Sequence, residues 1–268
     1  MFQKRQTLAG IRGTPHSPHV SRSFFYAIAL AAFFCFAGNA WSLTLTQIQD
    51  QVRRATRDTQ TDTDLQRYSN ALITDWANEA QRDFFNATWC VKTSTSIVLS
   101  SGTIYYDLPT DYVAVDYVLF TDNNGLDFDL KEESEKKVIQ SEGDYENTST
   151  GTPDRYVVRY STSGGNSFQV AFLPYPVTNT STGTARVSYF QQPAALSASS
   201  DVPFEGHLPL VQYHDALVYF VTARIKAIEG LTVEAEFYFN LYERAVIAAR
   251  NRLNSMPNYN PSLRGAPR

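Results

Sequence analysis

The chain has 268 residues, 43% hydrophobic and 13% aromatic, enough to bury a sizeable core, which excludes a disordered composition. Its net charge of −4 conceals an asymmetry: Lys4, Arg5, Arg12 and Arg22 stand without an acid in residues 1–40, and the rest carries 19 basic against 27 acidic residues, a charge of −8. So acidic a body does not coat itself with nucleic acid by counterion release, and with Cys35 in the apolar leader, Cys90 has no intrachain disulfide partner in the body.

Residues 1–23 are basic and aperiodic. They precede the apolar run from Phe24 to Ala37 and the small residues Gly38 and Ala40. This is the layout of a secretory signal peptide, too short for a membrane span. A second reading takes Leu43 as a start at a non-ATG codon, because no Met stands between Met1 and Met256. Under either reading the leader, residues 1–42, stands apart from the fold.

Thr44 and Gln47 have capping-box spacing, and Ile48, Val52 and Ala55 recur helically, predicting a helix over 44–58. A second helix is predicted over 64–86, capped by Asp62, Thr63 or Asp64. Its apolar stripe is Leu65, Tyr68, Leu72, Trp76, Ala80 and Phe84.

From 88 to 193 the pattern alternates with period two. Residues 94–99 and 103–107 around Ser100-Ser101-Gly102 read as one hairpin. Residues 112–120 and 126–130 around Asn123-Asn124-Gly125 read as another, with a type I′ turn. The charged run from Lys131 to Lys137 reads as a solvated face of one or two helical turns. Further strands are expected at 156–160, 168–173 and 185–190, the middle one ended by Pro174 and Pro176.

The chain then returns to helical periodicity over 207–229 and 232–253. Gly230 stands at the C′ position and Thr232 at the next cap, which together make an αα-hairpin. Arg244, Arg250 and Arg252 fall toward its end, and residues 255–268 read as an extended tail. The expected fold is α+β: N- and C-terminal helices packed as a bundle with an inserted antiparallel β region.

The residues suggest no chemistry. His207 and His214 have no matching Cys, and no nucleophile elbow, phosphate loop, dinucleotide fingerprint or zinc-protease motif occurs. Asp122, Asp127, Asp129 and Glu132 lack EF-hand spacing. The expectation is a structural protein without catalytic residues, metal or cofactor.

Four stretches, in order, carry a resemblance: Tyr68-Ser-Asn-Ala-Leu-Ile-Thr-Asp-Trp-Ala-Asn-Glu-Ala80, Tyr105-Tyr-Asp-Leu-Pro-Thr-Asp-Tyr112, Gly151-Thr-Pro-Asp-Arg-Tyr156 and Phe172-Leu-Pro-Tyr-Pro176. With the closing helices and Glu229-Gly230 between them, they resemble the head-to-tail adaptor (connector) proteins of tailed bacteriophages over residues 43–254. The resemblance implies a virion protein that assembles on itself as a ring, commonly of twelve copies. Such a ring extends the portal protein's channel, meets a tail or head-closure protein and lets DNA pass without sequence-specific binding. It marks Trp76, Asn78, Tyr106, Leu108, Pro109, Gly151, Pro153, Tyr156, Pro174, Pro176, Gly230, Arg250 and Arg252 as structural or interface residues. The leader departs from that pattern, and a competing reading is an exported bacterial β-rich binding or envelope protein with residues 1–40 as signal peptide.

Overall fold

The structure is a computed structural model and describes residues 42–60, 66–143, 151–162, 167–174 and 183–256. The leader, both readings of it, the tail beyond Met256, Pro176 and the turn at residues 163–166 lie outside the described residues.

Helix α1 spans Leu45–Thr56. The Thr44 hydroxyl accepts from the Gln47 N–H, and the Thr44 N–H donates to Gln47 Oε1 at 2.9 Å, satisfying two donors a helix start leaves open. Arg57 ends the helix in the left-handed region. Helix α2 spans Asn70–Thr88 under a Ser69 cap, so it begins later than the predicted residue 64. Its buried face is Ile73, Ala77, Ala80, Gln81, Phe84, Phe85 and Thr88, while Leu72 is exposed and Trp76 half-buried. The stripe therefore lies about one position around the helix from the predicted one. Alternative i, i+3, i+4 sets overlap in a sequence this rich in apolar residues.

Seven strands follow: β1 Lys92–Val98, β2 Tyr105–Asp107, β3 Tyr112–Asp122, β4 Asp127–Glu132, β5 Arg155–Ser161, β6 Ser167–Leu173 and β7 Gly183–Gln191. They form one mixed sheet in the order β1-β7-β3-β4-β5-β6-β2, which curls into a nearly closed barrel. Strands β1, β3, β4, β5, β6 and β7 supply Ile97, Phe120, Leu130, Tyr156, Phe172 and Val187 to one interior, joined by Leu99 and Leu108 just past the ends of β1 and β2. Between the edge strands, the Tyr106 hydroxyl accepts from the Ser100 N–H at 2.8 Å. Helix α3, Glu135–Glu142 with Ser134 as cap, covers the outer face of β5 and β6 by placing Val138 on Val157, Ala171 and Leu173.

Helix α4, Asp215–Ile228, and helix α5, Thr232–Asn254, close the chain. The Leu231 N–H reaches the Lys226 carbonyl at 2.9 Å and the Gly230 N–H the Ala227 carbonyl at 3.1 Å, a Schellman ending that requires positive φ at Gly230, here +77°. Thr232 is already helical and makes no side-chain cap. Helix α4 begins later than the predicted residue 207: Val211–Tyr213 forms a short 3₁₀ turn instead, preceded by another at Pro203–Gly206, where Phe204 and Glu205 are left-handed. Helices α1, α2, α4 and α5 share a core built on Ile48, Phe84, Leu217, Val221, Ile225 and Leu253. Where β1 leaves α2, Lys92 pairs with Asp116 at 2.7 Å, both nearly buried, under the Phe190 ring.

The expected architecture is thus corrected. The β region is not a small antiparallel insert in a terminal helical bundle but a seven-stranded mixed sheet with its own interior. Strands β4 and β5 pair in parallel through the α3 crossover. The predicted hairpin around Ser100-Ser101-Gly102 does not pair with itself either: β1 pairs with β7 and β2 with β6. Turn residues bend the chain locally, whereas pairing was decided by which distant strands complete the barrel. The β3–β4 hairpin is present, but only Gly125 takes positive φ, so its loop is not the type I′ turn expected. Part of the charged run is strand, since β4 extends through Lys131 and Glu132.

Candidate functional site

Most of the marked residues are positioned to hold the fold. On α2, the Asn78 carboxamide donates to the Leu196 carbonyl at 3.0 Å and accepts from the Leu196 N–H at 2.7 Å. One turn along, Gln81 donates to the Ala194 carbonyl at 2.7 Å and accepts from the buried Phe204 N–H at 2.9 Å. Two amides on one helix face thus fasten the long connection between β7 and α4, satisfying backbone groups that burial would otherwise leave open. Gln81 was not singled out from sequence; its spacing of three from Asn78 was the available signal.

Trp76 packs on Tyr68, their ring centres 6.4 Å apart. Tyr106 lies beside Phe172, and Leu108 and Tyr156 are buried in the barrel. Burial pushes the Tyr156 hydroxyl well above its usual pKa, and the nearby Glu132 carboxylate adds to it. Pro109 begins the tight turn into β3, its carbonyl accepting from the Tyr112 N–H at 3.1 Å. Gly151 and Pro174 are brought together: a Cβ on Gly151 would lie 3.5 Å from the Pro174 ring. Pro153 is buried beside them in sequence, and the Asp154 N–H bonds the Leu173 carbonyl. Gly230 is exposed at the helical hairpin's turn. Arg250 donates to the Ala87 carbonyl at 2.9 Å, where α2 ends and its carbonyls want a cation, and Arg252 donates to Gln212.

Cys90 and His214 are both strongly shifted by burial. Burial raises the Cys90 thiol to about 12, so at neutral pH it carries no thiolate. His214 is 1% exposed, and burial lowers it to about 4. Its Nδ1 accepts from the Leu43 N–H at 3.1 Å, fastening the segment before α1 to the start of α4. It is therefore a neutral core histidine. Among the described residues no group of three or more His, Cys, Asp or Glu could hold a metal ion, and no helix is long and apolar enough to cross a membrane.

What the surface does offer is apolar. Ile228, Leu231, Val233 and Phe237 stand exposed around the α4–α5 turn, flanking a groove of about 940 Å³ walled by the end of α1 and by Arg57, Arg67 and Lys226. The far side of the same turn holds a second hollow of about 370 Å³ bounded by Phe220, Ala227 and Phe239. A separate exposed apolar group, Leu126 and Phe128, sits on the β3–β4 hairpin. Phe237 and Val233 lie on the opposite side of α5 from its buried positions, Tyr242, Val246, Ala249 and Leu253.

The described residues thus form a mixed barrel joined to a helical layer, with apolar side chains exposed at the α4–α5 turn and on the β3–β4 hairpin. A family model described as SU10 adaptor protein matches residues 43–264, and the chain belongs to that family. A search of curated proteins returns no match. The resemblance to bacteriophage head-to-tail adaptors is thereby borne out at the level of family.

Proposed function

We propose that this chain is a structural component of a phage virion that assembles on itself as a ring, of twelve copies, between the portal and a tail or head-closure protein. DNA passes through the ring without sequence-specific contact. The observation that carries this reading is the family match across residues 43–264. The acidic body supports it as well, since a wall of like charge does not retain a passing polyanion. Exposed apolar side chains at the α4–α5 turn and on the β3–β4 hairpin supply surfaces for neighbours.

Negative-stain electron microscopy of the purified chain, alone and mixed with the portal from the same phage, tests it. Twelve-membered rings seated on the portal are expected. A chain that neither forms rings nor binds the portal overturns the reading. Residues 255–268 are proposed to reach into the adjoining ring, and a chain ending at Asn254 that attaches to the portal as before would remove that part of the proposal.

A further inference from the structure

The groove at the α4–α5 turn and the tip of the β3–β4 hairpin lie at opposite ends of the described body. Helix α4 runs antiparallel to α2: Tyr213 packs on Phe84, Arg224 pairs with Glu79, and Glu229 reaches Arg67 and Tyr68. The α4–α5 turn therefore sits beside the start of α2, and 19 helical residues, about 28 Å at 1.5 Å each, separate it from the barrel junction. Strand β3 leaves that junction in the other direction. Ala114 packs against the helical core, and Asp122, eight residues on, is about 26 Å further away. Within one chain the tip cannot reach the groove.

The two surfaces suit one another. The tip presents Leu126, 59% exposed, and Phe128, 40% exposed, among the carboxylates of Asp122, Asp127 and Asp129. The Asp122 carboxylate accepts from the N–H groups of Asn124 and Leu126 at 2.9 and 2.8 Å, so the loop is already fixed and loses little freedom on docking. The groove presents Val233, 81% exposed, and Phe237, 58% exposed, with Leu231 at its wall. Its three cations, Arg57, Arg67 and Lys226, outnumber its two carboxylates, Glu229 and Glu234. Arg67 and Lys226 are paired with those acids, and the exposed Arg57 has no acidic partner among the described residues.

We propose that the β3–β4 hairpin tip of one copy seats in the α4–α5 groove of the next. Leu126 and Phe128 then cover Val233 and Phe237, and Asp129 faces Arg57. This deepens the ring reading of the preceding section and rests on it. A contact between two different patches of one chain is heterologous, the kind that closes into a ring when each copy is turned by a constant angle. An apolar centre with a charged rim is the usual make-up of such contacts.

The test uses full-length chains carrying Cys35→Ser, with the buried Cys90 kept. One sample bears Leu126→Cys and another Val233→Cys. Under mild oxidation the mixture is expected to yield a disulfide-linked dimer that neither sample gives alone. Asp129→Arg and Arg57→Asp are each expected to weaken self-association about threefold, and the chain carrying both to recover it, as one exposed ion pair allows. Rings that form without the Leu126–Val233 link overturn this contact and leave the adaptor reading standing. A link that appears only between Val233→Cys and an added virion protein assigns the groove to that protein and overturns the second copy as occupant. A chain that stays monomeric alone and on the portal overturns the contact and the ring together.

Discussion

His214 gives the chain a specific sensitivity to acid. In the folded protein its imidazole is held at about 4, against an ordinary value near 6.5, by burial in the helical core. Between those two values the unfolded chain takes up a proton that the folded chain refuses, so stability falls as pH drops from about 6.5 to about 4 and is insensitive to this group outside that window. At about 1.4 kcal/mol for each pH unit, a gap of roughly 2.5 units corresponds to about 3.5 kcal/mol over the whole window. The geometry agrees with the sign, because a proton on Nδ1 would replace the lone pair that accepts the Leu43 N–H. Urea unfolding by tryptophan fluorescence, between pH 7.5 and pH 4.5, measures the loss. His214→Asn offers an oxygen to the Leu43 N–H but takes up no proton, so its stability should fall with pH by about 2 to 3 kcal/mol less than the parent's. Equal losses in the two chains, or an NMR titration of His214 with a midpoint near 6, would refute the reasoning.

Other outcomes follow from packing. Phe84→Ala removes a fully buried ring that touches Phe204 and Tyr213 and should cost about 3–5 kcal/mol in urea titration, whereas Trp76→Ala, at a half-buried position, should cost clearly less. Gln81→Ala leaves the buried Phe204 N–H and the Ala194 carbonyl without partners, and a loss of about 2–3 kcal/mol is expected from thermal unfolding. Gly230→Ala forces an L side chain into the left-handed region with open space around it and should cost about 1–2 kcal/mol. Gly183→Ala should cost more although its φ is ordinary, because a Cβ there would collide with the Thr121 carbonyl oxygen and come within 2.8 Å of the Phe120 ring. Circular dichroism melts of the two glycine variants would order them.

What the sequence made legible was local. The reciprocal cap of Thr44 and Gln47, the turn at Gly230 and the β3–β4 reversal each rest on contacts between residues within five positions of one another. What it hid was long-range. Nothing in residues 92–98 specifies that their partner is 183–191, or that β4 should run parallel to β5, since a period-two pattern fits any neighbour that offers an apolar face. The α2 stripe was displaced for a related reason: Gln81 is buried because a distant connection needs its amide, and hydrophobicity cannot report that. The marked residues behave the same way. Asn78, Arg250 and the Gly151–Pro174 contact make sense only through partners far along the chain. The exposed apolar groups at Val233 and Leu126 became visible only once the core was known.

The pairing of β1 with β7 also bears on how the chain comes off the ribosome. Strand β1 must wait for about 90 further residues before its first ladder bond can form, and α1 waits longer still for α4, the helix it packs on. Neither the barrel nor the helical layer can close around an incomplete chain, so folding is governed by late, distant encounters rather than by growth from the N-terminus. Until β7 and α4 emerge, β1 remains an unpaired edge and the apolar side chains of α1 and α2 lack their main cover, which makes synthesis the stage most exposed to aggregation.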